Sequence, residues 1–297
     1  MSSPYDFDAM AGTLEASGEY RVARRLKPRP PIAPTSAKPR RLGLVVDVET
    51  TGLDRSRDEI IELAMTPFSY APDGTILSIG ESFHGLREPS IPILPRITEI
   101  TGISDKIVAG HEINPEDVAR FIAPASLVIA HNAAFDRRFL ERFSDVFSTK
   151  PWACSLTQID WASEGFECAK LAYLVQASGF FYDRHRAEND CLATIELLAN
   201  PLPRSGRTGL RRLLDAARMP LWRIWAEGSP YELKDVLKAR GYRWNSIADH
   251  RPRSWYIDVA EDQCDAELDF LTAEIYGCDK DLHVQRVDAY DRFSDRA

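Results

Sequence analysis

Long apolar runs are missing from this chain of 297 residues: nowhere are 18 consecutive residues apolar, so a membrane span and a membrane partner are not expected. The opening "MSSPYDFDAMAG" has neither a basic start nor an apolar core, which argues against a secretory leader. Cysteine is sparse. Cys154, Cys168, Cys191, Cys264 and Cys278 are odd in number, scattered and never spaced C-x-x-C, which argues against a disulfide framework or a zinc knuckle. A reducing, cytoplasmic setting is the expectation. Basic charge is not in excess either, the net charge being −8. The length and the 44% hydrophobic content suffice to bury the core of one large or two moderate domains.

The charge is unevenly spread. Residues 1–41 carry eight Lys/Arg and four Asp/Glu, residues 42–203 thirteen and twenty-four, and residues 204–297 sixteen and seventeen. The acidic middle repels a polyanion at long range, so phosphate chemistry there requires bound cations or help from the flanks.

Three segments follow from the pattern. Residues 1–41 hold a helical candidate over 8–26 and then "KPRPPIAPTSAKPRR", whose five prolines predict an extended, basic linker. Its charge either attracts phosphates or is simply solvated. Residues 42–203 read as α/β, with strand-like runs at 42–49, 60–68, 76–84 and 125–130 and a turn, "APDG", at 71–74. In "NPEDVARFIA", Asn114 is the expected N-cap, Pro115 opens the helix, and Val118, Phe121 and Ile122 form its apolar stripe. Further helices are expected at 135–143, 169–178 and 187–199. Residues 204–297 read as a small accessory α+β unit. There "SPYELKDVLKARG" has Ser229 and Glu232 in capping-box spacing and Gly241 as a stop, "SWYIDV" and "LHVQRVDAY" read as strands, and "EDQCDAELDFLTAEIYG" as a helix.

The stretch that asks for chemistry is "LVVDVETTG", residues 44–52. Side chains alternate along a strand, so Asp47 and Glu49 share a face while Val46 and Val48 take the other. Two carboxylates facing one place are costly unless a cation or proton compensates them. Asp136 in "VIAHNAAFDRRFL", and His185 and Asp190 in "RHRAENDCLATI", complete four carboxylates and one imidazole. That is the inventory of two-metal hydrolysis: hard oxygen ligands for Mg²⁺ or Mn²⁺, and a base that titrates near neutrality.

In this order "DVETTG" (47–52), "HNAAFD" (131–136) and "HRAEND" (185–190) resemble the three motifs of the DnaQ-like, DEDDh family of 3′–5′ exonucleases, the group containing the proofreading subunit of bacterial replicative polymerase. The likeness extends over residues 42–199. It implies a ribonuclease-H-like fold, a mixed five-stranded sheet flanked by helices, and two ions of Mg²⁺ or Mn²⁺. It further implies that Asp47 bridges both metals, that Glu49 and Asp190 hold the one carrying the nucleophilic water, and that Asp136 supports the second. His185 is then the general base, and the backbone around Thr51 and the side chain of Leu53 contact the 3′-terminal nucleotide. Where relatives have His-Gly-Ile, this chain has Thr101, Gly102 and Ile103, a departure that spares every catalytic position.

Three functions fit these residues: an exonuclease acting in DNA repair or proofreading, an exoribonuclease on RNA, and a non-catalytic module associated with a polymerase or repair partner. Two other stretches carry two readings each. In the C-terminal unit, Lys238, Arg240, Arg243, Arg251 and Arg253 interleave with Tyr242, Trp244, Trp255 and Tyr256, which suits either a single-stranded nucleic-acid surface or an aromatic core with a solvated rim. "QASGFF" (176–181) resembles a sliding-clamp-binding peptide, but its place before the third motif favours a packed helix end.

Overall fold

The computed structural model describes residues 5–27, 29, 40–246 and 251–296. Most of the proline-rich stretch expected to be a linker, residues 28 and 30–39, lies outside the described residues. Two compact units are present, one of residues up to Ala216 together with Phe293–Asp295, the other of Ala217–Arg292 and the last two residues. The division thus falls inside a helix, after position 216 rather than after 203.

The first unit opens with α1 (Phe7–Ala16), capped by the Asp6 carboxylate on the Ala9 N–H. The helix expected over 8–26 ends early, because Gly18 turns the chain at φ +76° and the segment beyond is extended. There β1 (Arg24–Arg25) pairs in parallel with β8 (Phe180–Phe181). Tertiary pairing has overridden a weak helical propensity.

The main sheet is built from β2 (Arg41–Thr50), β3 (Ile60–Tyr70), β4 (Ile76–Ile79), β5 (Phe83–Leu86), β6 (Leu127–Ala130) and β7 (Trp152–Cys154). Its order is β4-β3-β2-β6-β7, with β5 also on β3; β2 and β3 run antiparallel, while β2, β6 and β7 run parallel. The expected five strands are therefore six in five positions. The run read as one strand over 76–84 breaks at Gly80, and its halves share the free edge of β3. The strand β7 has no counterpart among the sequence-based expectations.

Helices α2 (Pro95–Thr101), α3 (Asp105–Val108), α4 (Pro115–Ile122), α5 (Ala133–Phe143), α6 (Leu171–Ala177) and α7 (Ala187–Ala199) flank the sheet. The Asn114 carboxamide accepts the Glu116 N–H and caps α4, as its sequence predicts. Thr101 closes α2 by donating to the Ile97 carbonyl and accepting from the Ile103 N–H, and Gly102 follows at φ +72°. The departure from His-Gly-Ile thus serves a local helix stop. Leu44, Val46 and Val48 of β2 pack with Val118, Ile122, Val128, Phe139 and Trp152 in one core.

Helix α8 (Gly209–Arg218) leads to the second unit. Strands β9 (Leu221–Ala226), β10 (Arg243–Trp244), β11 (Trp255–Val259) and β12 (Val284–Val287) form an antiparallel sheet in the order β10-β11-β9-β12. Against one face pack α9 (Lys234–Ala239) and α10 (Cys264–Phe270), with Leu237 of α9 and Leu268 of α10 in one core with Ile224, Ala226, Val259 and, just after α10, Leu271. The expected capping box is not made. A tight 3₁₀ turn, Tyr231–Leu233, precedes α9, and no side chain caps either helix start. Gly241 does turn the chain at φ +98°. Tyr242 is buried with its hydroxyl on Glu267, and Trp255 packs on the core, so these rings build the unit. Trp244 and Arg243 are exposed. Among the described residues no helix is long and apolar enough to cross a membrane.

Candidate active site

Alternation along β2 places the first two carboxylates: Leu44, Val46 and Val48 turn into the core, which leaves Asp47 and Glu49 on the opposite face, toward an opening to solvent. Directly after Glu49 the β2–β3 register shifts, so the chain leaves the sheet as the loop 51–59. Asp190 arrives in the first turn of α7. Donor oxygens of Asp47, Glu49 and Asp190 all lie within 4.8 Å of one another.

Asp136 is placed differently. It sits in the first turn of α5, only 3% exposed, and accepts the Val48 N–H at 3.2 Å. It thereby grips the backbone between Asp47 and Glu49 and stands outside the group of three. Burial and the carboxylates of Asp136, Asp190 and Glu49 push Asp47 well above its ordinary range. Burial, then Asp190, raises Glu49 to about 8. Burial raises Asp136 to about 7 against the opposing Val48 hydrogen bond. Asp190 is also raised by burial, opposed by the hydroxyl of Tyr182. The protein alone does not neutralise this cluster. A hard, all-oxygen donor set carrying excess negative charge fits a divalent cation such as Mg²⁺ or Mn²⁺.

His185 is exposed and holds φ +60°, the left-handed conformation that is uncommon outside glycine. Its N–H donates to Asp190 Oδ2 at 2.9 Å, and the Tyr182 hydroxyl donates to Asp190 Oδ1 at 2.7 Å. His185 and the Asp190 carboxylate are therefore set by one loop.

The two residues expected to meet substrate part company. Leu53 is 85% exposed at the tip of the loop after β2. Thr51 is buried: its N–H donates to the Glu59 carbonyl, and its hydroxyl donates to Asp58 and accepts the Glu59 N–H. Its amide and side chain are committed to shaping the loop.

Glu62 was not among the expected site residues. Fully buried on β3, opposite Glu49, it accepts from Arg186 and from the Ala187 N–H and contacts His84 Nε2 at 2.7 Å. Burial works against its charge, yet these donors outweigh it and hold the carboxyl below its usual range. Glu62 pins the start of α7 to the sheet. A lone acid inside the apolar run "IIELAM" (60–65) was the available signal. His131 of the second motif is structural: Nε2 meets the Ala169 carbonyl, Nδ1 meets Ser155, and burial lowers it to about 4.

A mixed sheet with three convergent acids at the end of its central strand defines a nuclease-like α/β protein. The family described as Exonuclease (RNase_T) matches residues 44–198, and the chain belongs to this DnaQ-like 3′–5′ exonuclease family. It is 25% identical to the DNA polymerase III subunit epsilon of Aquifex aeolicus, over 66% of this chain and 90% of that protein. It is 29% identical to the PolC-type DNA polymerase III of Thermotoga petrophila over 57% of this chain. That alignment spans only 12% of the polymerase's length. Among solved structures, an E. coli exonuclease I bound to single-stranded DNA shares the fold, with a TM-score of 0.50 and 16% identity, over 75% of this chain and 64% of that one.

Proposed function

We propose that the chain is a metal-dependent 3′–5′ exonuclease of the DEDDh type that releases 5′-mononucleotides from DNA during repair or proofreading. The observation that carries this reading is the meeting of Asp47, Glu49 and Asp190 within 4.8 Å, in a cluster whose charge the protein leaves unbalanced. Asp47, Glu49 and Asp190 would hold one ion, and Asp47 with Asp136 behind it would support a second. Two ions of Mg²⁺ or Mn²⁺, when bound, supply a more acidic water and positive charge beside the leaving oxygen. A ring nitrogen of His185 takes the proton of the attacking water, an action that needs the solvent-facing placement this side chain has. Leu53 packs against the terminal base, and Thr51 keeps its loop in shape through Asp58. The kinship with DNA polymerase III subunits supports DNA as the polymer and a polymerase or repair factor as partner.

The test uses 5′-labelled single-stranded DNA, matched and mismatched duplexes, and RNA, each with Mg²⁺, Mn²⁺ or EDTA. A metal-dependent ladder shortening from the 3′ end of DNA, absent with Asp47→Ala, is the expected result. Preference for RNA would move the substrate to the other polymer, and absence of cleavage throughout would overturn the enzymatic reading.

A further inference from the structure

The N-terminal segment touches the same loop that carries His185. Backbone hydrogen bonds run from the Arg24 N–H to the Gly179 carbonyl and from the Leu26 N–H to the Phe181 carbonyl, both at 2.9 Å. Arg25 lies over the Phe181 ring, 5.0 Å from its centroid, and reaches Asp183 at 2.9 Å. Leu26 lines a small cleft with Tyr182, Asp183, Asn189 and Leu192. Arg29 forks onto Glu196, on the helix that presents Asp190, and also reaches Asn200 just past its end. Arg24, Arg25, Leu26 and Arg29 therefore hold both the loop and its helix.

What they hold is tightly specified. From Phe181 the chain passes to Tyr182, whose hydroxyl occupies one oxygen of Asp190, and three residues later to His185, whose N–H occupies the other. The Asn189 carboxamide donates to the Asp183 carbonyl at 2.8 Å and ties the loop's middle to α7. A metal-site carboxylate gains its orientation from such outer donors, and losing one commonly costs about 10–100-fold in metal affinity or activity. The Arg25–Asp183 pair is exposed and contributes little alone. The strand pairing is the stronger element, since it fixes where Tyr182 begins.

We infer that Arg24, Arg25, Leu26 and Arg29 act as a clasp on the base-bearing loop, and that Tyr182 is the positioning residue through which the clasp sets Asp190 and His185. Its consequence for turnover rests on the exonuclease reading; its consequence for metal binding does not.

The experiment compares four full-length variants with the parent. Tyr182→Phe removes the hydroxyl, Leu26→Pro removes one backbone donor of the clasp, the double variant combines them, and Leu26→Ala keeps the donor as a control. Mn²⁺ affinity is read by calorimetry without nucleic acid, kcat and KM are read on a short single strand, and thermal melting reports folding. Tyr182→Phe is expected to weaken Mn²⁺ binding about tenfold and to lower kcat far more than it changes KM. Leu26→Pro should weaken binding in the same direction and more than Leu26→Ala does. Because both act on one path, the double variant should be no worse than Tyr182→Phe within about twofold. Unchanged Mn²⁺ affinity in Tyr182→Phe, or fully multiplicative effects in the double variant, would overturn the clasp even if DNA is hydrolysed. The expected affinity pattern in a protein that cleaves nothing would uphold the clasp and remove the exonuclease reading instead.

Discussion

Replacing Glu49 by Gln removes a charge while keeping its volume, and the effect on stability has a definite sign. Burial and the neighbouring carboxylates raise Glu49 from 4.5 to about 8 in the folded protein. The native state therefore keeps this proton where the unfolded chain has lost it. Stability from this group is complete below the unfolded value and disappears as pH climbs through the folded one. At about 1.4 kcal/mol per pH unit, the interval corresponds to roughly 5 kcal/mol. The site's opening to solvent screens part of that, and the clustered carboxylates share protons, which leaves about 2 kcal/mol for Glu49. Gln retains the uncharged state at every pH. In EDTA at about pH 9, Glu49→Gln should melt about 4–8 °C above the parent, while at about pH 5 the two curves should nearly coincide. Mn²⁺ should reverse the order, because the parent gains a ligand that the variant holds poorly. Circular dichroism melts across pH, with EDTA or Mn²⁺, read all of this. A variant melting below the parent at high pH in EDTA, or offset by the same amount at all pH values, would refute the account of the cluster.

Asp47→Ala should abolish hydrolysis while leaving the circular dichroism spectrum unchanged, since it relieves repulsion among the acids; residual turnover in Mn²⁺ would sink the two-metal assignment. His185→Ala should lower kcat on the order of a hundredfold with KM within about twofold, and the low-pH limb of its rate profile should flatten. Leu53→Ala should raise KM several-fold on single strands with little change in kcat, as competition by product mononucleotide would also report. Trp152→Ala removes a fully buried ring whose indole N–H donates to the Phe147 carbonyl, so denaturant unfolding should show a loss of about 3–5 kcal/mol.

The parts of the site that were legible in the sequence depend on local rules. Asp47 and Glu49 share a face because strand alternation puts them there, and Asn114 caps because its neighbours leave a free N–H within reach. What escaped depends on partners distant in the chain. Glu62 faces Glu49 only through antiparallel register, and three of its contacts come from His84, Arg186 and Ala187. The three residues of β7 form a parallel edge strand too short to show a period. "EYRVARRL" looks helical in isolation, yet it runs extended and its Arg24–Arg25 pairs as a strand because Phe180–Phe181 offers a ladder. The way Thr51 braces its own loop likewise rests on residues outside its motif, Asp58 and Glu59, seven and eight residues on, which take its hydroxyl and amide.

The hydrogen bond from the Val48 N–H to Asp136 reaches the peptide between the two acids of β2. Those two acids are thus mechanically one part: whatever shifts the strand shifts both, and neither is adjusted alone. Asp190 rides on a separate helix. The span of the site is set by that helix and its anchors, Glu62 and Tyr182. Changes that retune the spacing of the three acids should accordingly collect on α7 and its supports, and β2 should behave as the fixed jaw.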